Sequence, residues 1–189
     1  MAALGIVVSL LDTSVLFPQH LRNTLMCAAE QELYQPIWSG RILGELAEVL
    51  RGRRHISDAR IQHLLSQMRR AFPVAEVEGY ESLIASMPVH ASDQHLLAAA
   101  VHGQANVLVT SNLRHFTPAV LAGYGIEPQS PDDFLIRRLN DAPHLMMAAI
   151  AQQLASYKRP SLTYTALCER LAPVTPRFAA RLRNAEHGV

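Results

Sequence analysis

The chain has 189 residues, of which 49% are apolar and 17% charged, and its formal net charge is +1. This length suits one domain with a small appendage, and the apolar content excludes a disordered chain. The near-neutral balance excludes a broadly basic protein that wraps nucleic acid, and the two cysteines are too few for a disulfide framework. We expect both thiols to be buried in a protein of a reducing compartment.

The first predicted element is a strand over residues 6–11, whose continuous apolar run is typical of a strand buried on both faces of a parallel sheet. Asp12 follows at its carboxyl end. The apolar N-terminus lacks the basic segment of a signal peptide and is too short to span a membrane. We therefore expect a cytoplasmic protein with no membrane partner.

Two capped helices are predicted next. Ser39 is the N-cap of the first, which carries an apolar stripe and ends near Gly52. Ser57 and Asp58 begin the second, and Pro73 lies just beyond its end. Patterns on either side predict a helix over residues 19–33, an extended segment at 36–38, a strand at 74–77 and a helix over 80–86.

A second buried strand is predicted over residues 106–110, after a helix over 93–102 that Gly103 ends. Ser111 and Asn112 follow this strand, as polar residues follow the first one. The order of strands and helices indicates an α/β fold with a parallel sheet. In such sheets, functional sites form beyond the carboxyl ends of the strands.

The composition changes at Ser130, which begins a helix with proline at its first position and acids in its first turn. Residues 1–130 carry nine basic and eleven acidic side chains, whereas residues 131–189 carry eight and five. We interpret the chain as an acidic α/β domain followed by a small, basic, all-α C-terminal extension. Its predicted helices lie near 131–139, 143–158, 164–171 and 176–184.

Three carboxylates fall at apolar positions of separate predicted elements: Asp12 after the first strand, Glu45 beside a helical stripe and Asp93 at a helix start. Burying a carboxylate is costly unless it is paired or binds a metal, and the domain before residue 131 contains no lysine. A hard divalent cation such as Mg²⁺ or Mn²⁺ suits these oxygen ligands. The plainer interpretations are a turn residue, a surface side chain and a helix cap.

Four segments carry a resemblance to a known family. They are Asp12-Thr13-Ser14-Val15-Leu16, the helix from Ile42 to Leu50, the segment from Ser92 to Ala100 and the segment from Val107 to Phe116. In this order and spacing, across roughly residues 5–130, they resemble the motifs of PIN-domain nucleases. The resemblance implies a three-layer α/β/α fold with a parallel sheet, which we assign to residues 1–130.

The resemblance also implies a Mg²⁺- or Mn²⁺-dependent endoribonuclease, most commonly a VapC-type toxin of a bacterial toxin–antitoxin pair held by a cognate antitoxin. By that match, Asp12, Glu45 and Asp93 bind the metal and, with Asn112, form the catalytic set. Asn112 stands where many members have a fourth aspartate, and His90 where related sequences often carry another acid. The extension over residues 131–189 matches a helical extension of some such toxins, with no role assigned from its residues.

RNA at an acidic pocket requires positive charge nearby, so arginines are expected at its rim, with a solvated helix face as the plainer interpretation of each. Ser14, Ser111 and Arg114 are expected to position the attacking water or a phosphate oxygen. The other rim candidates are Arg51, Arg53, Arg54, Arg177, Arg181 and Arg183. The helix over 58–72 is mainly core, and part of it could form a homodimer surface or a groove for an antitoxin helix.

Other interpretations fit less well. A haloacid-dehalogenase-type enzyme would need a second aspartate where Ser14 stands, and Lys158 is misplaced for its lysine. No P-loop motif occurs, and His95 and His102 lack a zinc-site spacing and are expected to face solvent. A PIN-like module with weak catalysis, acting in RNA binding or protein interaction, is the remaining alternative.

Overall fold

A computed structural model describes residues 6–158 and 160–186 and contains a five-stranded parallel sheet with the order β3-β2-β1-β4-β5. Residues 1–5 of the apolar N-terminus, residue 159 and the last three residues of the extension lie outside the described part. The strands are β1 (Val8–Leu11), β2 (Gln35–Ser39), β3 (Glu76–Val77), β4 (Val107–Val109) and β5 (Glu127–Gln129).

β1 occupies the centre of the sheet, where Leu10 pairs with Ile37 of β2 on one side and Leu108 of β4 on the other. The chain adds β2 and β3 to one side of β1 and then crosses to add β4 and β5 to the other. The connections after β1 and β4 therefore leave the sheet in opposite directions. This switch point is where open α/β sheets form a crevice for ligands.

The helices that follow Ser39 and Ser57 begin where the capping residues predict, whereas the helix predicted over 19–33 ends at Glu30. Ser39 accepts a hydrogen bond from the amide of Ile42, as expected of an N-cap, but the helix continues beyond Gly52 to Arg54. His55 ends it in a left-handed conformation, and the basic last turn suits the negative end of the helix dipole. These helices are α1 (Thr13–Leu16), α2 (Gln19–Glu30), α3 (Gly40–Arg54), α4 (Asp58–Ala71), α5 (Gln94–His102) and α6 (Pro118–Leu121).

Three short 3₁₀ turns join these elements, and they include the segment predicted as a helix over 80–86, which is Glu81–Ser86. The others are Leu113–His115 and Ala122–Tyr124. Gly103 follows α5 as predicted, and glycine is required at this position because the space for a side chain is small. A Cβ at this position would lie 2.6 Å from Cδ1 of Ile37, so a larger residue would push α5 away from the sheet.

Four helices follow β5: α7 (Pro131–Asp141), α8 (Pro143–Ser156), α9 (Tyr164–Leu171) and α10 (Pro176–Glu186). Ser130 caps α7 by accepting from the amide of Asp133. α8 packs on α2, where buried Gln153 accepts from Thr24 at 2.7 Å and donates to the carbonyl of His20. The extension is thus joined to the α/β part by a buried polar contact as well as by apolar packing.

The fold class is the predicted one, an α/β fold with a parallel sheet and an all-α C-terminal part. The edge strand β5 escaped prediction because its Glu-Pro-Gln sequence has neither alternation nor an apolar run. None of the helices in the described ranges combines the length and the apolar character that a bilayer crossing requires.

Candidate active site

The carboxyl end of β1 presents Asp12, whose amide donates to the carbonyl of Val109 at the end of β4. The residue is 6% exposed, although no lysine or arginine pairs with it among the described residues. Ser14 and Thr110 donate to its Oδ2 at 2.6 and 2.7 Å. Both hydroxyls bond the same oxygen, so Oδ1 has no protein donor within the described part of the chain.

Hydrogen bonds connect the loops after β1 and β4. The amide of Ser111 donates to Oγ of Ser14 at 3.0 Å, and the amide of Asn112 donates to Oγ1 of Thr110 at 3.0 Å. Ser14 therefore positions Asp12, whereas Ser111 contributes its backbone. Asn112 lies on the same loop with an exposed side chain. Thr110, which sequence reasoning did not single out, is fully buried and contacts Asp12 directly.

Glu45 of α3 lies among three donors that the sequence left unassigned. Thr13 donates to its Oε2 at 3.1 Å, Arg41 donates to Oε1 at 3.3 Å, and Nε2 of His95 lies 3.1 Å from Oε1. Burial favours a higher pKa for this carboxyl, but the hydrogen bonds from His95, Thr13 and Arg41, together with the charge on His95, outweigh it and lower the pKa. Glu45 is thus held in its ionised form.

The prediction that His95 faces solvent is wrong, because this side chain is 2% exposed. Its Nε2 contacts Glu45 across two elements that are 50 residues apart in sequence. Its Nδ1 is buried with no hydrogen-bond partner in the described residues. A buried imidazole is stabilised by such a carboxylate, which a helical pattern read along α5 alone does not reveal.

Asp93 occupies the N-cap position of α5 but makes no side-chain cap hydrogen bond, so capping is not what its carboxylate does. Its Oδ2 lies 2.9 Å from Nδ1 of His115, and the residue is 9% exposed. Arg114 donates to Nε2 of the same imidazole at 3.2 Å. Because Nε2 accepts this bond, Nδ1 carries the proton and donates to Asp93. Arg114 therefore contacts Asp93 indirectly, through His115.

Asp12, Glu45 and Asp93 lie on the side of the sheet where the strands have their carboxyl ends, which we call the acidic edge. Each of them has its own polar neighbours. In the described ranges, no three His, Cys, Asp or Glu side chains are grouped closely enough to hold a metal ion as they stand. The donor chemistry nevertheless fits a hard cation. Asp12 and Asp93 are buried carboxylates without a lysine or arginine partner in the described part of the chain, and oxygen is the preferred ligand. Glu45 can join them through Oε2, which accepts from Thr13, whereas Arg41 and His95 both contact Oε1.

Several predicted rim arginines have intramolecular partners instead. Arg51 pairs with Asp58 at 2.6 Å, and Arg177 pairs with Asp132 at 2.9 Å. Arg181 donates to Asn140. These three contacts connect helices to one another, so those arginines have a structural role in the described molecule.

Comparisons with known proteins identify sequences that are similar to this chain. The sequence model described as PIN domain matches residues 8–114, and the one described as VapC50 C-terminal domain matches residues 131–184. The chain is 41% identical over 106 residues to a Mycobacterium tuberculosis protein named "Putative ribonuclease VapC50". That match covers 56% of this chain and 63% of the relative, which is less than two thirds of its length. No solved structure matches the chain.

Proposed function

The chain belongs to the PIN-domain family, and from this premise we propose that it is a divalent-metal-dependent endoribonuclease that hydrolyses RNA phosphodiester bonds. One observation carries the proposal. Asp12, after β1, and Asp93, before α5, are nearly buried carboxylates, and neither has a basic side chain other than an imidazole as partner in the described residues. Such charges are stabilised by a cation from outside the chain.

Mg²⁺ or Mn²⁺ would be held by Asp12 and Asp93, with Glu45 as the third carboxylate. When bound, such an ion lowers the pKa of a water and offsets charge on phosphoryl oxygens. Asn112 adds an amide oxygen at the same edge without adding negative charge. This neutral residue favours a single tightly held ion over a pair.

Neighbouring residues of the chain orient the two aspartate carboxylates by hydrogen bonds. The hydroxyls of Ser14 and Thr110 fix Asp12 through one oxygen and leave the other available. His115 contacts one oxygen of Asp93 in the same way, and Arg114 donates to the other nitrogen of that imidazole. Arg114 is exposed beside the site, so it can also contact a phosphate of the incoming strand.

We infer further that the enzyme is the toxin of a bacterial toxin–antitoxin pair and acts in the cytoplasm, since the relative it resembles bears a VapC name and is called a ribonuclease. A surface cavity of about 200 Å³ between α2 and α4, lined by Met26, Leu64, Met68 and Phe72, suits a helix of a cognate antitoxin or of a second copy. Expression in a bacterial host should arrest growth, and Asp93→Asn should relieve the arrest.

A second candidate is a PIN-like module that binds RNA or protein but cleaves weakly. It is favoured by the engagement of Glu45 with His95 and Arg41, which occupies one of its two carboxylate oxygens. The neutral residues Asn112 and His90, at positions where relatives often carry acids, point the same way.

Incubation of the purified protein with total RNA in Mg²⁺, Mn²⁺ or EDTA separates the two candidates. The nuclease should give discrete fragments with either metal and none in EDTA, and Asp93→Asn should abolish them. Asp58→Asn is the matched control, because Asp58 is an exposed acid paired with Arg51 on the surface. RNA binding without metal-dependent cleavage would instead support the module.

A further inference from the structure

A surface cavity of about 400 Å³ lies between the α/β part and the extension, away from the acidic edge. Its walls come from the start of α2, the end of α3 and the end of α9, and they include Phe17, Arg22, Arg54 and Arg170. Among the residues that the structure describes, no acidic side chain lines it. We call it the arginine cleft.

Arg22 is the buried charge of this cleft and is 6% exposed. Its Nη1 donates to the carbonyl of Leu16 at 2.7 Å, while its Nε has no hydrogen-bond partner in the described residues. Burial lowers the pKa of the guanidinium to about 10, so the group stays protonated at neutral pH. A buried cation without a carboxylate is costly unless an anion reaches it.

The amino end of α2 opens onto the same space. Its N-cap is Pro18, which provides no side-chain cap, and its first turn contains no acid. The first amides of a helix have no intrahelical partners and carry partial positive charge. The helix therefore adds donors to the charge of Arg22, and together they form an anion-binding arrangement.

Two exposed arginines complete the cleft. Arg54 lies over the ring of Phe17 at 5.2 Å, and neither it nor Arg170 forms an ion pair in the described ranges. An adjoining cavity of about 360 Å³ shares Gln19, His20 and Arg170 with the cleft and adds Tyr157 and Lys158. Here too no acid contributes to the lining.

The electrostatic effect of these cations is visible at His20, which lies between the two cavities. Its pKa is lowered by burial first and then by the charges of Arg170 and Arg22. The side chains that line the two cavities are thus mainly neutral or basic in the described residues, although the net charge of the chain is only +1.

We propose that the arginine cleft binds a phosphate of the single-stranded RNA backbone, away from the bond that is cleaved. The inference rests on the nuclease function proposed above. Phe17 closes the turn that begins after Asp12, and Arg54 follows Glu45 by nine residues, about 14 Å along α3. A strand leaving the acidic edge along α1 and α3 reaches the cleft.

RNA is favoured over an acidic protein segment by the kinds of side chain that line the two cavities. The cations extend through two adjoining cavities, as the successive phosphates of a strand do. The rings of Phe17 and Tyr157 stand among them, and unpaired bases stack on such rings. The extension supplies Arg170 and Lys158, which gives it a role in holding substrate.

Fluorescence anisotropy of a labelled single-stranded oligoribonucleotide in EDTA, over a range of salt, tests the proposal. Arg54→Gln/Arg170→Gln should weaken binding about tenfold and reduce the salt slope by about 1.4, since each single-strand phosphate contact contributes about 0.7. Arg60→Gln/Arg70→Gln removes the same charge from exposed positions of α4 and should leave both unchanged. Arg54→Lys/Arg170→Lys should retain the slope.

The proposal is overturned if the cleft and α4 variants lose affinity equally, or if the wild type does not bind RNA in EDTA. It is overturned in favour of an acidic protein partner if RNA binding is unchanged while a polyglutamate peptide loses affinity. Metal-dependent cleavage with unchanged binding in the cleft variant would leave the nuclease function standing and reject the cleft. RNA binding that depends on the cleft, without metal-dependent cleavage, would support the arginine cleft and reject the nuclease function.

Discussion

Asp12 at the sheet edge and Asp132 in the extension are each 6% exposed, yet their surroundings differ. Asp132 accepts from the amide of Phe178 at 2.8 Å through one oxygen and from Nε of Arg177 at 2.9 Å through the other. Asp12 accepts two hydroxyl hydrogen bonds on a single oxygen. Equally buried carboxylates thus have different roles. Asp132 connects α7 to α10, whereas Asp12 keeps one oxygen without a protein donor in the described residues.

The largest effect that this comparison predicts is on cleavage. Asp12→Asn should lower the rate of metal-dependent RNA cleavage at least about 100-fold, because a charged ligand is lost from the reacting site. In EDTA, the variant should be as stable as the wild type or more stable, since a neutral amide removes an uncompensated charge. Urea unfolding measures this, and a loss above about 1 kcal/mol would make Asp12 structural.

The counterpart substitution should affect stability. Asp132→Asn weakens charge-assisted bonds to α10 and should lower the free energy of unfolding by about 1.5–3 kcal/mol. The cleavage rate per folded molecule should not change, because Asp132 lies in the extension. Chemical denaturation and single-turnover cleavage on the same preparation check both parts. A lowered rate in fully folded protein would link this carboxylate to the site.

Substitution of Asp133 should have a smaller effect on the free energy of unfolding than substitution of Asp132. Hydrogen bonds from Ser130 and Arg177, with the charges of Arg177 and Arg137, lower the pKa of its carboxyl despite some burial. A lowered pKa adds stability above the unfolded value near 4, and this stability is lost as pH falls through the folded pKa. Asp133→Asn should therefore cost under about 1 kcal/mol at pH 7, given its exposure, and progressively less as the pH falls below about 4. Unfolding midpoints across this range measure the difference, and a cost that does not change with pH would contradict it.

Part of the sheet is predictable from the sequence, because an apolar run or a capping residue marks a single element without reference to distant parts of the chain. Apolar runs predicted β1 and β4, and capping residues predicted the starts of α3 and α7. The α/β fold with its C-terminal helices follows from those patterns.

The partners of the acids were not predictable in the same way. The neighbours of Glu45 and Asp93 are His95 and His115, and each pair joins elements that are distant in sequence. Periodicity along a helix shows which face is apolar, but it does not show which imidazole meets which carboxylate. The edge strand β5, which was not predicted, depends likewise on pairing with its neighbour β4.

The role of Asp12 as a metal ligand is tested most directly by titrating Mn²⁺ into metal-free protein in a calorimeter. Wild type and Asp133→Asn should bind the ion alike, because Asp133 belongs to the extension and is engaged by Arg177. Asp12→Asn should show no binding, or binding weakened at least about 100-fold. Equal binding by Asp12→Asn, or no binding by the wild type, would contradict the role given to the free oxygen of Asp12.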